Sequence, residues 1–194
     1  MGVTTASARS RRWKRIEYEQ LIDRGIFQPG ERLELLGGEL LVREPQGGAH
    51  ALGIELVAEA LREAFGAAAR VRVQLPIALD DDSEPEPDVS VVSGPLTDAD
   101  PVLPSGALLI VEVSDSSLTL DRTEKASLYA RAGIADYWIL NLVERVLEIH
   151  GEPTAEPTAP YGWRYRLIHR LGAGDVVSPL AAPQSRIPVA RLTR

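Results

Sequence analysis

The sequence predicts a single α/β domain: a mixed central β-sheet flanked by helices, with an N-terminal helix and a β-hairpin ahead of it. Three observations carry this reading. The run ALLIVEV at 107–113 is unbroken apolar sequence of strand length, the pattern of a strand covered on both faces. Between His50 and Phe65, Ile54, Val57, Leu61 and Phe65 recur at helical spacing, while Glu55, Glu59, Arg62 and Glu63 fall largely elsewhere. Strand patterns mix with only two or three helices, and 194 residues suffice to bury one core without metal or disulfide staples.

The elements follow in chain order. Residues 1–12 read as a flexible basic tail and 13–194 as the domain. IEYEQLIDRG is a short helix closed by Gly25. RLELLGGELLVRE is a hairpin whose Gly37-Gly38 pair supplies the positive φ angles of a tight turn. RVRVQLPIALD alternates, which predicts one strand with Val71, Val73, Leu75, Ile77 and Leu79 on its covered face. DDSEPEP is expected as a solvated, proline-stiffened connector into DVSVV, the strand that Asp88 opens. GPLTDADPVLPSG is a loop. A helix is expected from Asp121 to Ala132, closed by Gly133, then strands in DYWILNL and RVLEIH, a loop over GEPTAEPTAPYG, and a strand in WRYRLIH.

Composition removes several function classes. There is no cysteine, so neither a thiol nucleophile nor a zinc–thiolate centre is available. No phosphate-binding glycine loop or nucleophile elbow occurs. The first dozen residues lack the apolar stretch of a secretory signal and no run reaches membrane-span length, so the expected location is the cytoplasm and no membrane partner is expected. A net charge of −7 speaks against a protein that binds by coating phosphates with cations, although a bound divalent ion would neutralise part of that excess. Of 21 cationic side chains only Lys14 and Lys125 are lysine, which marks Lys125 as a position where a compact ammonium is wanted.

Glu112 is the residue hardest to explain as structure, because a carboxylate inside LLIVEVS is desolvated unless a charge meets it. Asp88 begins a strand of similar character, so neighbouring strands can bring the two acids together, where they repel unless they share a proton or a cation. A hard ion such as Mg²⁺ takes one or two carboxylates and fills its other positions with water and phosphate. Lys125, read as lying in the first turn of its helix, is suited to an anion, and Tyr129 lies one turn further along the same face.

These segments resemble the PD-(D/E)xK nuclease superfamily, in its branch of small stand-alone Uma-family restriction-endonuclease-like proteins. The resemblance runs from about Trp13 to Leu192 and is carried by RLELLGGEL around Glu34, His50 after the glycines, Gln74 in VQLPI, EPEPDVSVV, VEVSDSSLTLDRTEKASLYARAG and IADYWILNL. It implies a restriction-endonuclease-like fold and a Mg²⁺-dependent endonuclease acting on nucleic acid, in the first place DNA, with Mn²⁺ as a substitute metal. It implies Asp88 and Glu112 as metal ligands, Glu34 as a further acid of the site and Lys125 as the catalytic lysine, with Gln74 lining the pocket. Ser114, two residues beyond Glu112, stands where the superfamily's lysine usually does.

Plainer readings stand beside these. Asp88 and Glu112 can pair with Arg122 or Arg131 instead of a metal, and Glu34 with Arg32 or Arg43. Asp121 with Glu124 reads as a helix-opening cap, His50 as a cap or a site contact, and Tyr129, Tyr137 and Trp138 as packing. Cutting two strands favours a homodimer, for which Tyr137 to Leu142 is the candidate interface. The rival function is a nuclease-fold protein that binds nucleic acid or a protein without cutting.

Overall fold

The computed structural model describes residues 10–28, 30–43, 45–94 and 102–193. Residues 1–9 of the expected tail and most of the expected loop at 94–106 lie outside them. The N-terminal layer holds α1 (Arg15–Asp23) and the hairpin of β1 (Leu33–Leu36) and β2 (Glu39–Val42). Gly37 and Gly38 turn it at φ +55° and +84°. Then come α2 (Gly48–Phe65), β3 (Ala69–Val73), β4 (Val89–Ser93) and β5 (Leu109–Ser114). A composite helix follows, made of α3 (Leu118–Leu120), a π-helical turn (Asp121–Lys125) and α4 (Ala126–Arg131). The chain ends in β6 (Asp136–Asn141), β7 (Val146–Ala155), β8 (Trp163–Leu171), short β9 (Val176–Val177) and β10 (Ile187–Pro188), and α5 (Val189–Leu192).

Six strands form the central sheet in the order β3-β4-β5-β6-β7-β8, parallel only between β5 and β6. The alternation of β5 decides which side chain meets which layer. Leu109, Val111 and Val113 join Ile54, Val57, Leu61 and Phe65 of α2, with Trp138 and Leu140 of β6. Ile110 joins Ala126, Tyr129 and Ala130 of α4, with Tyr137 and Ile139. Glu112 shares the parity of Ile110, so it is delivered to the α4 side. Full burial of side chains as large as Trp138 and Leu140 contributes about 1.5–3 kcal/mol each, which is ample to hold one acidic strand position in register.

Four expectations are corrected. The alternating strand from Arg70 stops at Val73, because Gln74 adopts φ +50° and reverses the alternation. Val71 and Val73 therefore pack toward α2, whereas Ile77 and Leu79 join the α4 side and Leu75 is exposed. The DDSEPEP segment is no solvated connector. Ser83, Glu84 and Pro85 are buried, Glu84 and Leu35 exchange backbone hydrogen bonds, and Arg131 holds Asp80 and Asp82. Gly151 to Ala155, expected as loop, continue β7 against β8. Finally, Tyr137 to Leu140 are wholly buried in the sheet, so the candidate dimer interface is core, and nothing supports the homodimer. Among the described residues, no helix is long and apolar enough to cross a membrane.

Candidate active site

The antiparallel register of β4 on β5 pairs Val89 with Val111, and one step back places Asp88 opposite Glu112. The Asp88 amide points at Glu112 Oε2 at 3.4 Å, and the Val113 amide donates to Asp88 Oδ2 at 2.9 Å. The composite helix brings Lys125 and Tyr129 to the other oxygen. Lys125 Nζ lies 3.1 Å from Glu112 Oε1, and the Tyr129 hydroxyl donates to it at 2.7 Å. Lys125 Nζ is also 3.1 Å from Glu34 Oε1, which β1 supplies from the hairpin. His50, in the first turn of α2, sets Nε2 3.2 Å from Asp88 Oδ2. Gln74 Nε2 reaches Asp88 Oδ1 at 3.5 Å, and the Gln74 amide donates to the Asp88 carbonyl at 3.1 Å. All seven residues singled out in the sequence therefore gather at one place, at the end of the central strands.

The plainer ion-pair reading fails for Arg122 and Arg131. Arg122 holds Glu148, and Arg131 is spent on Asp80 and Asp82. Arg43, weighed only as a partner for Glu34, meets both Glu34 and Asp88, at 3.3 and 2.8 Å. The hairpin register carried the signal: Leu41 pairs with Glu34, so Arg43, two residues on, shares its face. Asp121 is no helix cap, since the helix opens at Leu118. It is buried, and Oδ2 accepts hydrogen bonds from Ser114 and Ser117 at 2.5 and 2.6 Å. Its spacing of four from Lys125, one helical turn, was the overlooked sign of a shared face. Lys125 likewise stands at the end of the π-helical turn, not in the first turn, so no free helix N-terminus accompanies it.

Glu34, Glu112, Asp121, Lys125, His50 and Arg43 line a cavity of about 360 Å³ that extends between Leu41–Arg43 of the hairpin, the Pro45–Gly47 segment and Asp115–Ser117. Four buried carboxyls (Glu34, Asp88, Glu112 and Asp121) face two permanent cations, Arg43 and Lys125. Burial pushes Glu112 up to about 8, with the Asp88 charge adding to the effect and Lys125 opposing it. Burial also raises Asp121, against Lys125 and the two serines. Burial alone would raise Asp88, but the His50 contact and the Arg43 guanidinium outweigh it and hold that carboxyl well below the usual range. Lys125 is raised despite burial by Glu112 and Glu34, so it stays an ammonium.

With all four carboxyls ionised the cluster would be short of positive charge even with His50, which Asp88 raises against burial, and the carboxyl oxygens suit a hard dication. Among the described residues, no group of three or more His, Asp or Glu side chains is arranged to hold a metal ion. What the geometry offers is one carboxyl pair, Asp88 and Glu112, each about 1% exposed and held by Val113, Arg43, Lys125 and Tyr129. A family profile described as "Uma2: Putative restriction endonuclease" matches residues 16–190. Among solved structures, the chain is similar to one described as a putative nuclease belonging to DUF820 from Anabaena variabilis ATCC 29413. The two share 12% sequence identity with a TM-score of 0.66, over 88% of this chain and 94% of that one, a likeness of fold. No curated protein matches.

Proposed function

The chain belongs to the Uma2 family, described as putative restriction endonucleases, and from that premise we propose that it is a divalent-metal-dependent endonuclease acting on nucleic acid, with DNA as substrate. The single observation that carries this is the meeting of Asp88 and Glu112 across β4 and β5 with Lys125 on Glu112. Asp88 and Glu112 would hold Mg²⁺, or Mn²⁺ in its place. The ion would supply Lewis acidity, lowering the pKa of bound water and neutralising charge on phosphoryl oxygens.

The chain's own residues do the rest. The Val113 amide and the Tyr129 hydroxyl each fix one carboxylate oxygen, so the two acids are held in place, with the Arg43 guanidinium on the remaining oxygen of Asp88. Lys125, kept charged at the cavity wall, offers its ammonium to the scissile phosphate, and Glu34 holds that ammonium from the opposite side. The buried setting strengthens each of these charges relative to water.

A plasmid-nicking assay with Mg²⁺ or Mn²⁺ tests the reading against a binding-only protein. Nicking that Glu112→Ala abolishes, in a variant that keeps its folded circular dichroism, supports the enzyme. Intact plasmid under every metal, with DNA retained on the protein, favours the binding-only rival. A parallel RNA substrate separates ribonuclease from deoxyribonuclease action.

A further inference from the structure

Asp88 does not reach the cavity. It is 1% exposed, and Arg43 and His50, which contact it, are the side chains that line the wall in its place. Arg43 makes three contacts at once: Nη2 to Asp88 Oδ1 at 2.8 Å, Nε to Glu34 Oε1 at 3.3 Å, and Nη1 to the Glu86 carbonyl at 2.6 Å. The other oxygen of Asp88 is covered by the Val113 amide and His50. A divalent cation entering from the cavity therefore meets a guanidinium already seated on the oxygen it needs. Both cannot hold that oxygen at full strength, and a dication beside Arg43 repels it.

Of the two internal cations, only Arg43 has somewhere to go. Lys125 is 2% exposed and rooted in the helix between Glu112 and Glu34. Arg43 follows the last paired residue of β2, its side chain is 14% exposed, and the cavity lies open on one side of it. A guanidinium is weakly hydrated and binds phosphate through two parallel N–H bonds, so leaving a carboxylate for a phosphodiester costs it little.

We propose that Arg43 is a displaceable counter-cation: it holds Asp88 and Glu34 in the metal-free protein, yields Asp88 to the divalent ion, and then grips the substrate phosphate at the cavity. This rests on the metal-centre reading given above. Arg43 thereby couples metal loading to substrate capture, since each is favoured by what the other releases or occupies.

Mn²⁺ affinity by titration calorimetry, and affinity for a fluorescein-labelled oligothymidylate by anisotropy in Ca²⁺, test it on the full chain. Arg43→Gln is expected to bind Mn²⁺ about tenfold or more tightly than wild type and the oligonucleotide about tenfold or more weakly, the scale of one charge-assisted hydrogen bond lost. Lys125→Met removes an equal charge nearby while leaving Asp88 covered, and is expected to gain clearly less Mn²⁺ affinity. An equal gain in both variants reduces the effect to bulk charge and overturns the proposal, as does unchanged Mn²⁺ or oligonucleotide affinity in Arg43→Gln. If that variant does not fold, Arg43→Lys serves, because it keeps the charge but cannot span all three partners. Its Mn²⁺ affinity is expected to rise, and a wild-type value overturns the proposal. Mn²⁺ binding to no variant and not to wild type removes the metal centre itself, whereas equal binding to all removes only the role of Arg43.

Discussion

The Lys125 ammonium lies 3.1 Å from Glu112 Oε1, joining the π-helical turn of one layer to the central strand of another. Lys125→Met leaves Glu112 buried without its cation. The nuclease kcat is expected to fall by about 10²–10³-fold, the range for losing a preorganised charge at a reacting oxyanion. Stability should fall by about 1–3 kcal/mol, less than the about 3–5 kcal/mol usual for half of a buried pair, because Glu112 with its raised pKa can take up a proton. Lys125→Arg is not expected to restore activity, since a planar fork does not fit a space shaped for an ammonium. Single-turnover rates and urea denaturation check these together.

Tyr129 donates to the same oxygen but carries no charge. Tyr129→Phe is expected to cost about 1 kcal/mol of stability and to lower kcat less than Lys125→Met does. Measuring the two variants side by side checks the ranking. A larger loss in Tyr129→Phe would show that orienting Glu112 matters more than the ammonium.

Gly53 is where α2 crosses β5. A Cβ there would stand 2.9 Å from Val113 Cγ1. Alanine raises helix propensity by up to about 1 kcal/mol, but Val113 is β-branched and fully buried, so overpacking of about 1–3 kcal/mol is set against that gain. Gly53→Ala is therefore expected to lower the urea midpoint. A raised midpoint would mean that the α2–β5 contact yields easily.

Asp136 lies away from the site, accepting from the Trp138 indole at 2.6 Å and the Leu180 amide at 2.8 Å. Burial pushes its carboxyl up to about 6, the two donors opposing. The folded state thus holds a proton that the unfolded chain releases near the ordinary carboxyl value, so this group's contribution is present at low pH and is lost as pH rises toward 6. The stability of wild type relative to Asp136→Asn is expected to shrink by about 1–3 kcal/mol between about pH 4 and pH 7. Denaturation at the two pH values checks the sign.

The sheet and its acids were legible because period and charge conflict so plainly in them. A carboxylate within LLIVEVS has no bland explanation, and β5 proved buried along its whole length. The hairpin turn and α2 followed from Gly37-Gly38 and the apolar face of 54–65. Elements that depend on tertiary context were not legible. The kink at Gln74 violates the alternation of RVRVQLPIALD for the sake of contacts with Asp88, and no local signal announces a non-glycine residue at positive φ. The acidic 81–86 segment looked solvated because its partners, the Leu35 backbone and Arg131, lie nearly fifty residues away on either side. Asp121 reads as a cap in the sequence because a cap and a buried cavity residue share one spelling, and only the earlier helix start at Leu118 separates them.

The most direct measurement is the anomalous scattering of a crystal soaked in Mn²⁺. The expected map has a peak between Asp88 and Glu112, at about 2.0–2.3 Å from an oxygen of each, with the Arg43 guanidinium withdrawn from Asp88. A map with no peak there, and with Arg43 still seated on Asp88 Oδ1 at saturating Mn²⁺, contradicts the metal centre and the nuclease reading built on it.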